Sequence, residues 1–470
     1  MNRRTILYMA VGAALFSAPA LFASSDVDYK QGVFIVNEDW YGHQNSTVNY
    51  LLPDEPAGDN WYYRVIQKEN PGVELGCTNQ FGAIWNGRFY LIAKQDKDPG
   101  ASITGGRITV ADASDMKVLY QASQIDPSGA QCDGRGFVGV TADKGYVSSS
   151  NGVWVMDLNS FAILGQVKGS ANPNAGGDSD KPNTDPTGSL YHGQSGSMVT
   201  AAGRVFVAHQ QSGLLVIDPA VDEVIHTISM DVVQEGAGIG SVVKSRDGQL
   251  WLSVAKDTQG TGTPLSYLMR VDPATLEYEV VPLANDMLAP SNSWYAWTPD
   301  AFVASTVQNC LYWKGSSSRW WSGTKIYKFD CDTKEQSLFV DLDAEGADWS
   351  LYGCSLGVHP VTDDVYMSLY HGNQNQTYIT RRYSASGEKL RDYSMIENYW
   401  FPSLFVFPQK NDGPAAIGSI GVDGSSVAGN LYSLDGVCVK KGVNYGDWPE
   451  LAPGLYIWRS SSEAKKIIIR

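Results

Sequence analysis

The sequence predicts an all-β protein, a seven-bladed β-propeller followed by a small β appendage. Three observations carry this: a turn-plus-apolar unit that recurs seven times, a second apolar unit ending mostly in Asp that follows each copy, and a composition rich in Gly, Trp and Tyr (48, 14 and 25 of 470 residues). Only 18% of residues are charged and 43% are hydrophobic, the balance of an ordinary globular chain. The net charge of −15 excludes a nucleic-acid binder, because phosphate recognition needs a basic face.

The chain opens on a targeting signal, read as residues 1–23. Arg3 and Arg4 form a basic start, Ile6 to Phe16 is almost wholly apolar, and small residues follow at Ala18, Ala20 and Ala23. The apolar run is shorter than the ~20 residues a membrane span requires. No Cys follows it to carry a lipid. The expected product is exported, without a transmembrane segment, and lies at the cell surface or outside the cell, or otherwise in the periplasm.

Over residues 30–410 the first unit begins at Gly32, Gly87, Gly145, Gly203, Gly248, Asp300 and Asp364, spaced 45 to 64 residues apart. Its copies include Gly87-Arg88-Phe89-Tyr90-Leu91 and Gly203-Arg204-Val205-Phe206-Val207. The second unit appears as Val110-Ala111-Asp112, Val155-Met156-Asp157, Val216-Ile217-Asp218, Val271-Asp272 and Phe329-Asp330. Each period holds about four short strands with turns between them, which is the pattern of a propeller blade. In the second blade these are expected near Phe81–Trp85, Phe89–Ala93, Arg107–Ala111 and Val118–Gln121. The first blade has only three strands of its own (Val33–Asn37, Thr47–Leu51 and Tyr62–Ile66). Ser403–Phe407, from the far end, is expected to supply its innermost strand.

Loop lengths predict which face carries function. Turns between the first and second strands of a blade are tight, as at Asn86-Gly87 and Ala202-Gly203. The loops of the opposite face are long: 39–46, 95–106, 169–194, 256–265 and 307–323. These loops are aromatic. Trp40, Tyr41 and His43 fall in the first, and Tyr312, Trp313, Trp320 and Trp321 in the last. Tyr191, His192, Trp294, Tyr295, Tyr352, Tyr399 and Trp400 fall between blades, and His371 maps to the same face. Exposed Trp and Tyr remove much area from water with few torsions to fix, so these are the candidate ligand-binding residues.

Other chemistry is weaker. Asp178, Asp180 and Asp185 could bind calcium through oxygen ligands. Glu74, Asp133 and Glu235 precede innermost strands and could line the central channel. No Gly-x-Ser-x-Gly, His-Glu-x-x-His or P-loop is present, so no catalytic residues are assigned. The six cysteines include Cys77 and Cys132 at equivalent places in adjacent blades. A disulfide between them is one reading and buried free thiols the other.

Residues 415–470 break the repeat. Three strands are expected there, around Leu431–Leu434, Gly454–Trp458 and Lys465–Arg470. The segment NLYSLDGVCVKKG followed by LAPGLYIWRSSSEAKKIIIR resembles the end of the C-terminal sorting domain of type IX secretion substrates. That resemblance implies the type IX export machinery as a partner. The segments GVFIVNEDWYGHQNSTVNYL and GRVFVAHQQSGLLVIDPAVDEVIHTI resemble the YncE-like surface propellers of Bacteroidetes. This group includes the BtuG-type cobalamin-binding propellers that work beside a TonB-dependent transporter. The resemblance implies a non-enzymatic protein that captures a large nutrient on its aromatic face, a corrinoid first and a glycan second. The other function classes are a metal-dependent propeller hydrolase or lyase, and a surface scaffold for other proteins.

Overall fold

The computed structural model describes residues 27–175, 193–255, 267–284, 286–290, 301–315, 322–346, 348–371, 376–410, 428–433, 438–444, 454–459 and 464–469. Seven antiparallel sheets form the blades of a propeller. We call the strands of each blade A to D from the innermost outward. In blade 2 these are Cys77–Trp85, Arg88–Gln95, Ile108–Asp112 and Val118–Ala122. The A strands of blades 2 to 7 begin at Cys77, Gly134, Ser195, Gly238, Phe302 and Ser350. Each packs against the next around the ring, and Ser350–Val358 packs against Pro402–Val406 to close it.

Pro402–Val406 is strand A of blade 1, paired antiparallel with Val33–Asn37, as the sequence led us to expect. Val33–Asn37 and Thr47–Leu51 are wholly buried, because a blade is covered on both sides by its neighbours. The outer strand of blade 1 is shorter than expected, at Trp61–Tyr62. Arg64 then takes a left-handed backbone (φ 55°), which a strand cannot continue through, and a short helix, Val65–Glu69, follows.

The recurring Asp has a physical role. In blades 2 to 6 it ends strand C, and its Oδ1 accepts the backbone N–H two residues on: Ser114, Asn159, Ala220, Ala274 and Asp332. Four residues after each Asp stands a left-handed residue: Met116, Phe161, Asp222, Leu276 and Lys334. This pair of devices turns the chain into strand D. The A–B hairpins use a different solution. Asn86-Gly87 and Ala202-Gly203 both have positive φ at both positions, the two-residue turn whose twist matches its strands.

Blade 6 corrects the expected register. Its strands are Phe302–Ala304, Cys310–Gly315, Lys325–Asp330 and Gln336–Asp341. Residues 310–315 are therefore strand B and not part of a long loop. Tyr312 and Trp313 are fully buried there, and the Trp313 indole N–H donates to the Leu288 carbonyl at 3.0 Å. Trp313 packs with Trp251, Phe329 and Tyr327 between blades 5 and 6. These two aromatic residues belong to the core and are not ligand contacts.

Of the two readings of Cys77 and Cys132, the structure has the second. Cys77 and Cys132 are buried free thiols, with no disulfide between them. Cys77 opens strand A of blade 2 and its thiol lies 3.3 Å from Asp98 Oδ2; Cys132 packs with Ile92, Ile125 and Phe137. Cys354 also lies in an A strand, where its thiol donates to the Ser403 carbonyl at 2.8 Å.

Residues 415–470 form a second compact unit. It has four described strands where three were expected: Ala428–Ser433, Cys438–Asn444, Gly454–Arg459 and Ala464–Ile469. The second pairs with the first at the sheet edge. Leu431, Trp458 and Ile467 make a small core, and the Trp458 indole donates to the Val443 carbonyl at 2.8 Å.

The placement of Trp313 makes a direct prediction. Trp313→Ala empties a fully packed site and removes the indole donor to the Leu288 carbonyl. It should destabilise the propeller by about 3–5 kcal/mol, read as a fall in the thermal midpoint, and leave ligand affinity of the remaining folded protein unchanged.

Candidate functional site

The B–C loop of blade 1 meets the chain leading into Pro402–Val406 where Val33–Asn37 runs out. The Glu38 and Asp39 N–H groups donate to the Phe401 and Trp400 carbonyls, each at 3.0 Å, so the two ends of the chain share one face. From Glu38 a chain of hydrogen bonds crosses five blades. The Tyr352 hydroxyl of blade 7 donates to Glu38 Oε2 at 3.0 Å, and Gln80 Nε2 of blade 2 donates to Glu38 Oε1 at 3.1 Å. Arg135 of blade 3 donates from Nη1 to Gln80 Oε1 at 3.5 Å and from Nε to Gln194 Oε1 at 2.9 Å, reaching blade 4. All five side chains are buried.

The A strands deliver these groups through β-bulges. Pairing in blade 2 steps from Asn79↔Ala93 to Phe81↔Ile92 and leaves Gln80 extra. In blade 3 it steps from Gly134↔Ser149 to Gly136↔Ser148 and leaves Arg135 extra. Tyr352 lies within the irregular stretch of blade 7, and Ser403 is the extra residue of blade 1. A bulge re-aims one side chain without moving the strand, and an innermost strand has a free edge on which to carry it. The Ser403 hydroxyl stands between blades 1 and 2, 3.1 Å from Val36 O and 2.9 Å from Asn79 O, and donates its single proton to one or the other.

Burial sets the electrostatics. It raises Glu38 to about 6, against the hydrogen bonds from Gln80 and Tyr352 and the charges of Lys94 and Arg135. It raises Asp39 to about 8, against a 2.7 Å hydrogen bond from the Thr47 hydroxyl and the charge of Arg64. Burial lowers Lys94 to about 8, and Arg135 adds to the effect. Asp133 is wholly buried with its carboxylate 3.8 Å from the Arg135 guanidinium, and neither of its oxygens has a hydrogen-bond partner among the described residues. Three acids, Glu38, Asp39 and Asp133, thus share this region with two bases, Lys94 and Arg135.

An aromatic rim continues outward from Tyr352. Phe401 lies 5.4 Å from Tyr352 and 6.4 Å from Tyr399; Tyr399 lies 4.1 Å from Trp40, and Trp40 lies 3.6 Å from His43, all between ring centroids. Trp40 is 39% exposed and Tyr41 57%. Asp39, Thr78 and Phe401 hold left-handed backbones (φ 56°, 53° and 42°) around the same place, a conformation uncommon for bulky residues.

Of the candidate residues, the structure brings Trp40, His43, Tyr399 and Tyr352 together, with Tyr41 adjoining in sequence. Trp400 is buried behind them, stacked 5.3 Å from Tyr63. His371 stands apart, 3.9 Å from Trp349. Tyr191, His192, Trp294, Tyr295, Trp320 and Trp321 lie outside the described residues, as do Asp178, Asp180 and Asp185. His209 is buried and lowered to about 4 by that burial; its ring accepts the Ser212 N–H, a structural role. Among the described residues no three His, Cys, Asp or Glu side chains are grouped to hold a metal ion. Glu235 is exposed on a turn, and Glu74 lies near the short helix of blade 1. Glu38, Gln80, Lys94, Arg135 and Gln194 were not singled out from the sequence. Their signal is a polar residue inside or beside one of the two inner strands of a blade.

A domain-of-unknown-function model, DUF5074, matches residues 31–408. No curated protein matches the chain. A solved structure of a quinonprotein alcohol dehydrogenase-like protein from Bacteroides thetaiotaomicron is similar at 17% identity and a TM-score of 0.57, covering 82% of this chain and 79% of that one. The extracellular domain of a protein described as a one component system, from the same organism, is similar at 13% identity and a TM-score of 0.41, covering 69% of this chain and 36% of that one. A chain of a mitotic checkpoint complex is similar at 13% identity and 0.44, covering 85% and 92%. The first of these likenesses supports the propeller fold. Among the described residues no helix is long and apolar enough to cross a membrane.

The buried acids predict a pH dependence. Glu38 and Asp39 hold protons in the folded state at pH values where the unfolded chain has lost them. Their contribution to stability is therefore full below about pH 4 and is lost as pH rises through about 6 and about 8. Asp39→Asn mimics the protonated acid. It should flatten the fall of the thermal midpoint between about pH 6 and 8; an unchanged slope would show that Asp39 is ionised throughout.

Proposed function

The chain belongs to the DUF5074 family, and we propose that it is an exported ligand-binding propeller that captures an organic ligand at the mouth of its central channel. The observation that carries this reading is the continuity of the exposed aromatic rim with the buried polar arc. Trp40, 39% exposed and packed against half-buried Tyr399, and Tyr41 beside it, 57% exposed, give the rim its apolar surface, and Tyr352 connects it to Glu38, Gln80, Arg135 and Gln194. A ligand that lays a broad face on the rim can place polar groups over the arc. The arc is already held by its own hydrogen bonds, so little side-chain freedom is lost on binding.

A corrinoid is the first ligand class. Its ring system is broad, and the primary amides around its edge both donate and accept hydrogen bonds. Gln80 and Gln194 match those amides as neutral partners, Arg135 as a donor and Glu38 as an acceptor. A glycan is the second class. Export by the type IX machinery, display at the cell surface and transfer to a TonB-dependent transporter belong to the same proposal.

Thermal shift with cobalamin tests it. Binding to the folded state should raise the midpoint progressively with ligand concentration. Trp40→Ala and Tyr399→Ala should each weaken binding by about tenfold or more, the loss expected when a well-packed aromatic anchor is truncated. No shift with cobalamin overturns the corrinoid assignment. A shift that survives both substitutions overturns the rim as the site.

A further inference from the structure

We propose that a second site, adjoining the aromatic rim at His43, binds one neutral sugar unit through its hydroxyl groups in the cleft bounded by His43, Arg64, Gln67 and Glu74. The cleft has a volume of about 280 Å³ and is closed on its far side by Gly100–Ile103. That is the low end of ligand clefts, about 300–1,000 Å³, and suits one ring rather than a chain of them.

The orientation of Gln67 points to a ligand. Its Nε2 donates to the Ser46 carbonyl and to Glu74 Oε2, each at 3.1 Å. Both partners are acceptors, so the amide cannot turn over without losing both bonds. The amide oxygen of this cleft-lining residue is thereby left buried, with no hydrogen-bond partner among the described residues. An unsatisfied buried acceptor is costly, and a hydroxyl donor would relieve it.

The neighbours define what carries that hydroxyl. Arg64 makes no ion pair among the described residues. Its backbone is held left-handed, its N–H donates to Asn49 Oδ1 at 3.0 Å, and its guanidinium lies 5.6 Å from the Trp400 ring centroid. It is a positioned donor. Glu74 is a second acceptor. A phosphate or carboxylate would meet the charge of Glu74, and an ammonium ligand would meet that of Arg64. Neighbouring hydroxyls on a ring, each able to donate and accept, fit acceptor and donor together. The His43 ring, stacked on Trp40, adds a flat side wall.

The test is calorimetric titration of the full chain with methyl glycosides of glucose, galactose and mannose, with glucuronate as the charged control. At least one neutral glycoside should bind. Arg64→Ala should weaken it by about tenfold or more, and Glu74→Gln, which still accepts from Gln67, by about fivefold. Cobalamin titration of the same variants should be unchanged, which separates failure here from failure of the channel-mouth reading. Absence of binding by all three glycosides, retention of affinity in both variants, or binding of glucuronate alone would each overturn the proposal.

Discussion

The pairing of Pro402–Val406 with Val33–Asn37 is the contact on which both the fold and the site depend. It supplies the fourth strand of blade 1 and removes two open sheet edges at once. It also places Trp400 and Phe401 against Asp39 and Glu38 through two backbone hydrogen bonds. Without that pairing, Tyr352 and Glu38 belong to segments more than three hundred residues apart, and the arc between blades 7 and 1 has no reason to form. Ring closure and site assembly are therefore one event, with the Ser403 hydroxyl at its centre, between blades 1 and 2.

The same local irregularity serves opposite ends of a blade. At the channel, bulges turn Gln80 and Arg135 out of the regular alternation and into the polar arc. At the perimeter, the D strands of blades 2, 3, 4 and 7 are bulged at Leu119, Leu164, Ile225 and Leu390. These four are among the exposed large hydrophobic residues of the protein. An apolar residue on a straight edge strand would invite another chain to pair there. On a bulge the ladder is broken and the strand twisted, so the edge is a poor template. An extra residue is tolerated at both places because both strands have one side without a partner.

Much of the fold was legible in the sequence because each blade repeats a local solution. The Asp that ends strand C and the turn residues that open strand B act within a few positions of themselves, so spacing alone reveals them. Blade 6 was misread because its copy of the unit begins one strand early: Asp300 introduces strand A, not strand B. Tyr312 and Trp313 were thereby assigned to a loop when they are core. The second strand of the C-terminal sheet was missed because Lys440 and Lys441 break its apolar pattern. The site was less legible for a physical reason. Gln80 and Arg135 acquire their meaning from bulges, and a bulge depends on the partner strand's register, which local sequence does not carry. The rim aromatics Trp40 and Tyr399 could be read from composition and loop position, whereas buried Trp400 beside them could not be told apart from them.

Burying Glu38, Asp133 and Arg135 opposes folding, since each ion taken from water costs several kcal/mol. The pairing of Asp133 with Arg135 offsets part of that cost, and the hydrogen bonds along the arc offset more. A hydrophobic channel would do so more cheaply, so stability alone does not account for this arrangement. What the ionic version provides is direction. Each group is fixed by its neighbour, and Tyr352 and Glu38 meet within hydrogen-bonding distance of the point where the aromatic rim begins. The large apolar core shared by the seven blades can absorb the cost of such a centre. It is the combination of a stable ring and a polar, pre-ordered mouth that makes recognition the function best matched to this propeller.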